Sequence, residues 1–229
     1  DFGCGEGLMA KGLAQRCREV KGVDVVPKFI GLDARIDAIF GPGHTVPPVD
    51  LRLVGPYDPL PYEDGAFDAA FAWSVFEHVG DPGRALREIH RVVRPGGAFY
   101  LTITPMYHSP MGGHLWNVLE EPWIHLRLSR EELHDRVRKA VLNADVEAGR
   151  TDIWQGKTVE EYRNTLLRCL DSLNMLSVRQ LKDHLRYAGF TVVSEELRQT
   201  LPHQPPADLL ATYSRDDLMT DEIRLLMRR

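Results

Sequence analysis

The stretch Asp1-Phe2-Gly3-Cys4-Gly5-Glu6-Gly7 places three glycines at alternate positions, directly ahead of a segment with one apolar face. Glycine adopts left-handed backbone conformations readily and lets a ligand approach the main chain closely. At the start of a helix, such a turn also presents free backbone N–H groups that suit a carboxylate or a phosphate. The stretch therefore predicts a ligand-binding turn between a strand and a helix.

The residues after this turn predict a helix and then a strand. The segment from Leu8 to about Cys17 has the apolar face of a helix, and residues 20–26 form a β-branched run that contains Asp24. Asp24 follows Gly7 by 17 residues, where nucleotide-binding α/β folds place a carboxylate that accepts both ribose hydroxyls. We interpret Asp24 as a ribose-binding acid, with a solvated aspartate at a strand end as the structural alternative.

Strand and helix patterns then alternate along the chain. Asp81 and Pro82 suit the start of a helix that Pro95-Gly96-Gly97 stops, and Ser177 caps a later helix. Strands are predicted over residues 49–54, 67–73, 98–103, 190–193 and 222–227. This alternation predicts a parallel sheet covered by helices on both faces.

Residues 104–176 interrupt the alternation with an aromatic loop followed by helices. Two capping boxes, Ser129 with Glu132 and Thr158 with Glu161, mark helix starts within it. We therefore divide the chain into an α/β half over residues 1–104, a helical lid over 105–176, and a C-terminal helix and strands over 177–229.

The composition disfavours several classes of partner. The 28 Lys and Arg residues against 33 Asp and Glu residues give a net charge of −5, so nucleic acid is not the expected ligand. No stretch approaches the roughly 18–20 apolar residues of a membrane helix, and we expect a cytoplasmic protein without membrane contact. The three cysteines lie far apart without metal-ligand spacing, which favours reduced thiols.

Five ordered motifs resemble the class I S-adenosylmethionine-dependent methyltransferases, of the type 11 group. They lie at residues 1–7, 22–24, 60–68, 75–79 and 88–97, and a later segment around residues 173–190 resembles the helix and strand that follow in the family. The resemblance implies an α/β, doubly wound Rossmann-like sheet that is mostly parallel, with an antiparallel last strand and a helical lid insertion. The activity it implies is methyl transfer from S-adenosylmethionine to a small-molecule acceptor.

The resemblance also implies that residues 1–104 hold the cofactor. Gly3 and Gly5 would line its methionine part, Asp24 would hold its ribose, and the loop after the third strand would cover its adenine. Pro56 occupies the position of the family's usual adenine-binding aspartate, and Asp58 is the nearby substitute. The cofactor-binding candidates are Asp1, Gly3, Cys4, Gly5, Gly7, Asp24, Asp58, Trp73 and Ser74.

Residues 74–78 occupy the stretch that faces the methyl group in similar enzymes. Some quinone O-methyltransferases of the family carry a glutamate at the position of Ser74 and use it, with a Glu-His pair, to hold magnesium. Glu77 and His78 alone suit a hard cation poorly because such ions prefer several oxygens, so we expect no metal. An imidazole can instead orient an acceptor or take its proton, and the candidates are His78, His108 and His114.

The aromatic residues and histidines over residues 105–126 lie beyond the edge of the sheet at which ligands bind. They suit a flat aromatic or a sugar-like acceptor, whereas Trp116 and Trp123 can equally pin the lid to the sheet. The spacing of the lid histidines His108, His114 and His125 matches no metal-ligand pattern.

Two other functions stay open at this point. A nicotinamide oxidoreductase is disfavoured because Leu8 stands where the dinucleotide fingerprint requires its last glycine. A degenerate cofactor-binding subunit that regulates a partner is compatible with Pro56 and with the sparse residues ahead of Gly3. We also expect a longer chain, with a strand ahead of Gly3 that lies between the strands ending at Asp24 and Trp73.

Overall fold

The computed structural model describes residues 1–41, 47–115, 118–142 and 158–229. A 3₁₀ turn, Phe76–His78, follows the third strand. The helices and strands of the described residues are, in chain order, α1 (Leu8–Ala14), β1 (Lys21–Asp24), α2 (Leu32–Phe40), β2 (Asp50–Leu53), β3 (Phe67–Trp73), α3 (Pro82–Val92), β4 (Val93–Ile103), α4 (Ile124–Arg127), α5 (Arg130–Lys139), α6 (Val159–Ser172), α7 (Val178–Ala188), β5 (Thr191–Arg198), α8 (Ala207–Leu210), α9 (Arg215–Met219) and β6 (Glu222–Arg228).

The strands form two hydrogen-bonded groups. β1 pairs with β2 in parallel, and β3 pairs with β4 in parallel. The second group has the order β3-β4-β6-β5, in which β6 is antiparallel to both of its neighbours. This arrangement confirms the predicted α/β sheet, which is mostly parallel with an antiparallel last strand.

The backbone of residues 1–3 joins the two groups. The N–H of Phe2 donates to the carbonyl of Phe71 in β3 at 2.9 Å, and the N–H of Gly3 donates to the carbonyl of Val23 in β1 at 2.9 Å. The N–H of Val23 donates in turn to the carbonyl of Asp1 at 3.0 Å. Residues 1 and 2 therefore lie between β1 and β3, as predicted.

The main core lies between the sheet and the pair of helices α3 and α7. Asp81 caps α3 as predicted, because its side chain accepts a hydrogen bond from the N–H of Arg84 at 2.9 Å and Pro82 is the first helical residue. The largest fully buried side chains of this core are Phe76, Leu86, Ile89, Phe99, Leu101, Ile103, Leu181, Leu185, Ile223 and Leu225. These contacts fix the carboxyl ends of β3 and β4, where the candidate site begins.

The predicted lid segment has a hydrophobic core of its own. Both predicted capping boxes form, at Ser129 for α5 and at Thr158 for α6. The buried side chains of this second core are Leu115, Ile124, Leu133, Val137, Leu142, Tyr162, Leu166, Leu167, Leu170 and Leu173. A third cluster, of Trp123, Leu209 and Leu218, connects α4 with the segment that contains α8 and α9.

One predicted helix end is wrong, and one helix forms where none was predicted. The first helix ends at Ala14 rather than near Cys17. Helix α2 forms where only a connection was expected. Its sequence signal is weak because just two of its side chains, Leu32 and Ile36, one turn apart, are buried. No helix of the described residues is both long and apolar enough to cross a membrane.

Two strands also begin or end at unexpected positions. α3 ends at Val92, and β4 begins at Val93 rather than at Ala98, because Val93 already pairs with Phe67 across a bulge. β5 continues to Arg198 rather than stopping at residue 193. Its side chains are mostly exposed, so this edge strand lacks the alternation of apolar and polar residues that would have predicted where it ends.

Candidate functional site

Asp24 and the glycine turn form one hydrogen-bonded unit at the carboxyl end of β1. Oδ2 of Asp24 accepts a hydrogen bond from the N–H of Gly5 at 2.7 Å, and Oδ1 accepts one from the N–H of Val26 at 2.8 Å. A carboxylate offers about four lone-pair sites. Both oxygens therefore retain capacity to accept further hydrogen bonds, such as those of a diol.

The three glycines of the turn all have positive φ, but their surroundings differ. A Cβ on Gly3 would lie 2.3 Å from Cγ2 of Val75, and one on Gly7 would lie 2.5 Å from Cδ1 of Leu51. A Cβ on Gly5 would meet no atom within 4 Å. Gly3 and Gly7 are thus required by packing, whereas Gly5 borders open space beside Asp24.

Cys4 and Asp1 flank this unit on its buried side. The Cys4 side chain packs against Gly22, where a Cβ would lie 2.9 Å from the Cβ of Cys4. Burial, together with the charge of Asp24, raises the pKa of the Cys4 thiol to about 11, so it stays protonated. Oδ2 of Asp1 is buried and has no hydrogen-bond partner within the described ranges, which leaves an acceptor for a ligand group.

Asp58 lies on the surface in the turn after β2. Its Oδ2 accepts a hydrogen bond from the N–H of Gly55 at 2.9 Å, and its own N–H donates to the carbonyl of Gly55 at 3.1 Å. Asp58 thus closes a local turn that follows the carboxyl end of β2. It is exposed and can accept a further hydrogen bond from a ligand.

Trp73 and Ser74 end β3 in different ways. The Trp73 ring is 47% exposed, lies 6.2 Å from the ring of Tyr100, and lines an apolar cavity of about 510 Å³ on one face of the sheet. Ser74 has a φ of 48°, and its N–H donates to the carbonyl of Thr102 at 2.9 Å. This left-handed residue redirects the chain from β3 into the 3₁₀ turn.

Asn174 holds the 3₁₀ turn in place. Its Nδ2 donates to the carbonyls of Phe76 at 2.6 Å and Val79 at 2.9 Å, and its backbone N–H donates to the carbonyl of Glu77 at 2.9 Å. Sequence reasoning missed this role because the partners lie nearly 100 residues apart in the chain. A lone asparagine after a helix gives no signal of such a contact.

Glu77 is buried within this turn, with only 4% of its surface exposed. Its Oε2 has no hydrogen-bond partner in the described part of the chain. Burial raises the pKa of Glu77 to about 8, because a charged carboxylate is poorly solvated there.

His78 and His114, two of the three predicted proton acceptors, come together with Cys169 of α6. The ring centroids of the two histidines lie 5.3 Å apart, and Nδ1 of His114 lies 3.4 Å from Sγ of Cys169. Burial lowers the pKa of His114 to about 3 and also lowers the pKa of His78. Both imidazoles are therefore neutral at pH 7, and each keeps a lone pair.

His108, the third predicted proton acceptor, packs elsewhere. Its ring lies 5.2 Å from that of Tyr107 and 5.1 Å from that of Tyr213. Burial lowers the pKa of His108, so this ring is also neutral at pH 7. The structure thus brings together two of the three predicted proton acceptors and leaves His108 in a separate aromatic cluster.

Trp123 is buried, with 3% exposure, and its indole N–H donates to the carbonyl of Leu218 at 3.3 Å. This contact supports the interpretation in which Trp123 pins the lid, rather than contacting an acceptor. Trp116 lies outside the described residues.

These features define a class of protein. An open α/β sheet carries, at the carboxyl end of β1, an acid that is hydrogen-bonded to a glycine turn, and further loops follow the neighbouring strands at the edge where such folds bind ligands. A family model described as a methyltransferase domain matches residues 1–101. Residues 1–101 are thus similar to methyltransferase domains.

Curated relatives agree with this match. The segment is 34% identical over 104 residues to a ubiquinone biosynthesis O-methyltransferase of Chromobacterium violaceum, covering 45% of this chain and 43% of that protein. It is 31% identical over 102 residues to the protein of the same name from Pseudomonas aeruginosa, covering 44% of this chain and 42% of that protein. The match thus spans less than half the length of these relatives.

Solved structures share the fold at low sequence identity. The [4+2]-cyclase SpnF has a TM-score of 0.54 at 21% identity, covering 100% of this chain and 73% of that protein. The geranyl diphosphate C-methyltransferase of Streptomyces coelicolor has a TM-score of 0.52 at 16% identity, covering 99% of this chain and 68% of that protein. One of these two is named as a cyclase, so the fold alone does not determine the reaction.

Proposed function

We propose that this chain transfers a methyl group from S-adenosylmethionine to a small-molecule acceptor. The observation that carries the proposal is the hydrogen-bonded pair of Asp24 and Gly5, which borders open space at the carboxyl end of β1. The methyltransferase match over residues 1–101 supports the same conclusion from the sequence.

The residues around this pair fit the cofactor. Gly5 borders open space in which the cofactor would lie, and Asp24 would accept hydrogen bonds from the ribose hydroxyls. The unpartnered Oδ2 of Asp1 and the exposed Asp58 would accept hydrogen bonds from the amino acid part and the adenine, respectively. Gly3, Cys4 and Gly7 would shape the turn, and Trp73 and Ser74 would set the end of β3 beside it.

When bound, S-adenosylmethionine supplies a methyl group that its sulfonium already activates. The chain therefore contributes mainly alignment and the exclusion of water, and well-oriented pairs reach effective molarities of about 10⁵ M or more. The lid segment follows the carboxyl end of β4 and has a hydrophobic core of its own, which supports a role in excluding water. The catalytic demand on individual side chains is correspondingly small.

The acceptor is proposed to be small, with an oxygen as the favoured methylation site, since the curated relatives are named as O-methyltransferases. An oxygen acceptor must lose a proton, and the predicted proton acceptors are His78, His108 and His114. All three rings are neutral at pH 7 because burial lowers each pKa, and a pKa of about 3 makes His114 a weak base. A flat aromatic or sugar-like acceptor, and a cytoplasmic location, stay predictions.

The test is a two-stage assay on the full chain. Calorimetric titration with S-adenosylmethionine should give a single site, and a panel of phenols and sugars should then release S-adenosylhomocysteine. Absence of cofactor binding overturns the proposal. Binding without turnover on any acceptor contradicts the proposed activity and supports a regulatory cofactor-binding subunit instead.

A further inference from the structure

Three side chains with metal-binding atoms meet where the lid contacts the sheet. His78 comes from the 3₁₀ turn after β3, His114 from the lid loop after β4, and Cys169 from α6. One ligand atom from each lies within 4.8 Å of the other two. They come from three separate parts of the chain, so no spacing rule applied to the sequence could detect them.

We propose that His78, His114 and Cys169 form a binding site for a zinc-class divalent cation. Two imidazole nitrogens and one thiolate sulfur are the donors that Zn²⁺ prefers, whereas magnesium prefers oxygens. The sequence-based expectation of no metal considered a magnesium site at residues 74–78 and a metal set of the lid histidines. The present donor set takes His78 from the first and His114 from the second, adds Cys169, and revises that expectation.

Ser172 prepares His78 for this role. Its hydroxyl donates to the carbonyl of Cys169 at 2.8 Å, and its Oγ lies 2.8 Å from Nδ1 of His78. A hydroxyl has a single proton to donate. Oγ must therefore accept from the Nδ1–H of His78, which leaves the lone pair on Nε2 for a metal. Partners of this kind fix the tautomer and orientation of metal-binding histidines.

The distances are close to those of a metal site. Bond lengths of about 2.0–2.3 Å in a tetrahedral site separate neighbouring ligand atoms by about 3.5 Å. Nδ1 of His114 and Sγ of Cys169 already lie 3.4 Å apart. The remaining separations are at most 4.8 Å, so metal binding would draw the three atoms together by about 1 Å.

The charges also balance. Burial, with the charge of the nearby Glu77 as a second cause, raises the pKa of the Cys169 thiol to about 11, so a bound metal must displace its proton. Oε2 of Glu77 lacks a hydrogen-bond partner within the described ranges. Glu77, whose pKa burial raises to about 8, is mostly protonated in the metal-free protein, and a dication bound by the Cys169 thiolate would favour its carboxylate form and so a neutral site. Three protein ligands also leave a fourth position for water or for an oxygen of a ligand.

Metal binding and proton acceptance would use the same lone pairs of His78 and His114. In the metal-loaded protein, His108 would be the remaining predicted proton acceptor. The metal site itself does not depend on the proposed methyl transfer, because its donors and its test do not involve the cofactor.

The experiment uses metal-stripped full chain, titrated calorimetrically with zinc sulfate and, in parallel, with Co²⁺ as a spectroscopic probe. We expect one equivalent of Zn²⁺ per chain and a tetrahedral Co²⁺ spectrum with a thiolate-to-cobalt charge-transfer band. Cys169→Ser should remove that band and weaken zinc binding by at least about tenfold, and Ser172→Ala should weaken it by about 10–100-fold. Cys17→Ser, which changes an exposed cysteine outside the cluster, is the matched control and should bind as the wild type does.

Failure of the wild-type protein to bind zinc overturns the proposal. An octahedral Co²⁺ spectrum without the thiolate band does so as well, as does unchanged zinc affinity in both Cys169→Ser and His114→Gln. The wild-type cobalt spectrum requires no substitution, so a variant that fails to fold leaves the test intact. Cofactor titration of the same metal-stripped protein separates this outcome from failure of the proposed function.

Discussion

Oδ2 of Asp24 accepts a hydrogen bond from the backbone N–H of Gly5 at 2.7 Å and thereby joins the end of β1 to the turn that precedes α1. Oδ1 of the same carboxylate accepts from the N–H of Val26 at 2.8 Å. Asp24 thus fixes the positions of the chain segments on both sides of the proposed ribose site. In the proposed site, Asp24 would therefore position these segments as well as contact the ribose directly.

Asp24→Asn should weaken S-adenosylmethionine binding by about 1.5–3 kcal/mol, the contribution of hydrogen bonds to a charged group, or about 10–150-fold in Kd. The amide keeps the shape of the carboxylate but replaces one acceptor oxygen with a donor. Asp37→Asn, at an exposed acid of α2, is the control and should bind as the wild type does. A calorimetric Kd for Asp24→Asn equal to that of the wild type would remove Asp24 from the site.

Gly3→Ala should impair folding stability, whereas Gly5→Ala should impair cofactor binding. Both positions have a positive φ, so each alanine incurs a similar backbone cost of about 1–2 kcal/mol. Only Gly3→Ala adds a clash, with its Cβ 2.3 Å from Cγ2 of Val75, whereas a Cβ on Gly5 points into open space. We expect Gly3→Ala to have the lower melting temperature and Gly5→Ala to lose cofactor affinity while folded. Equal melting temperatures would contradict this assignment.

Asn174→Asp should destabilise the protein by about 1–3 kcal/mol, because the Nδ2 donor to the carbonyls of Phe76 and Val79 is lost in a partly buried place. Urea unfolding measures the change. Gln199→Glu is the matched control, since that amide also donates to two carbonyls but is exposed, and it should change stability by no more than about 0.5 kcal/mol. Equal effects of both substitutions would show that Asn174 does not hold the turn.

Local sequence signals predicted most of the fold. The capping boxes at Ser129 and Thr158, the N-cap at Asp81 and the β-branched strands depend on neighbours within a few residues, and the structure shows each of them. The edge strand β5 was predicted too short because its exposed side chains do not alternate between apolar and polar. Short-range patterns thus predicted the presence of helices and strands better than they predicted the residues at which these begin and end.

The candidate site was predicted only in part, for a similar reason. Gly5 lies in the turn before α1, and Asp24 ends the strand that follows α1. Their meeting at one edge of the sheet therefore follows from the predicted topology. The meeting of His78, His114 and Cys169 depends on how the lid packs, and no local pattern encodes that contact. The difference between Gly3 and Gly5 likewise depends on side chains from distant elements.

The stability of the protein should depend on pH through the buried ring of His125. The ring is buried, its Nε2 donates to the carbonyl of Tyr107 at 2.6 Å, and His108 and Arg130 are the charged or titratable groups that act on it. Burial lowers the pKa of His125 from 6.5 to about 4, so below pH 6.5 the unfolded chain binds a proton that the folded chain excludes. The contribution of neutral His125 to stability is therefore complete above pH 6.5 and is lost as the pH falls towards 4, by about 3 kcal/mol. His125→Gln keeps a donor for Tyr107 without titrating, so the stability advantage of the wild type over this variant should shrink from pH 8 to pH 4. Urea unfolding of both proteins across that range measures it, and a constant difference would show that His125 titrates alike in the folded and unfolded states.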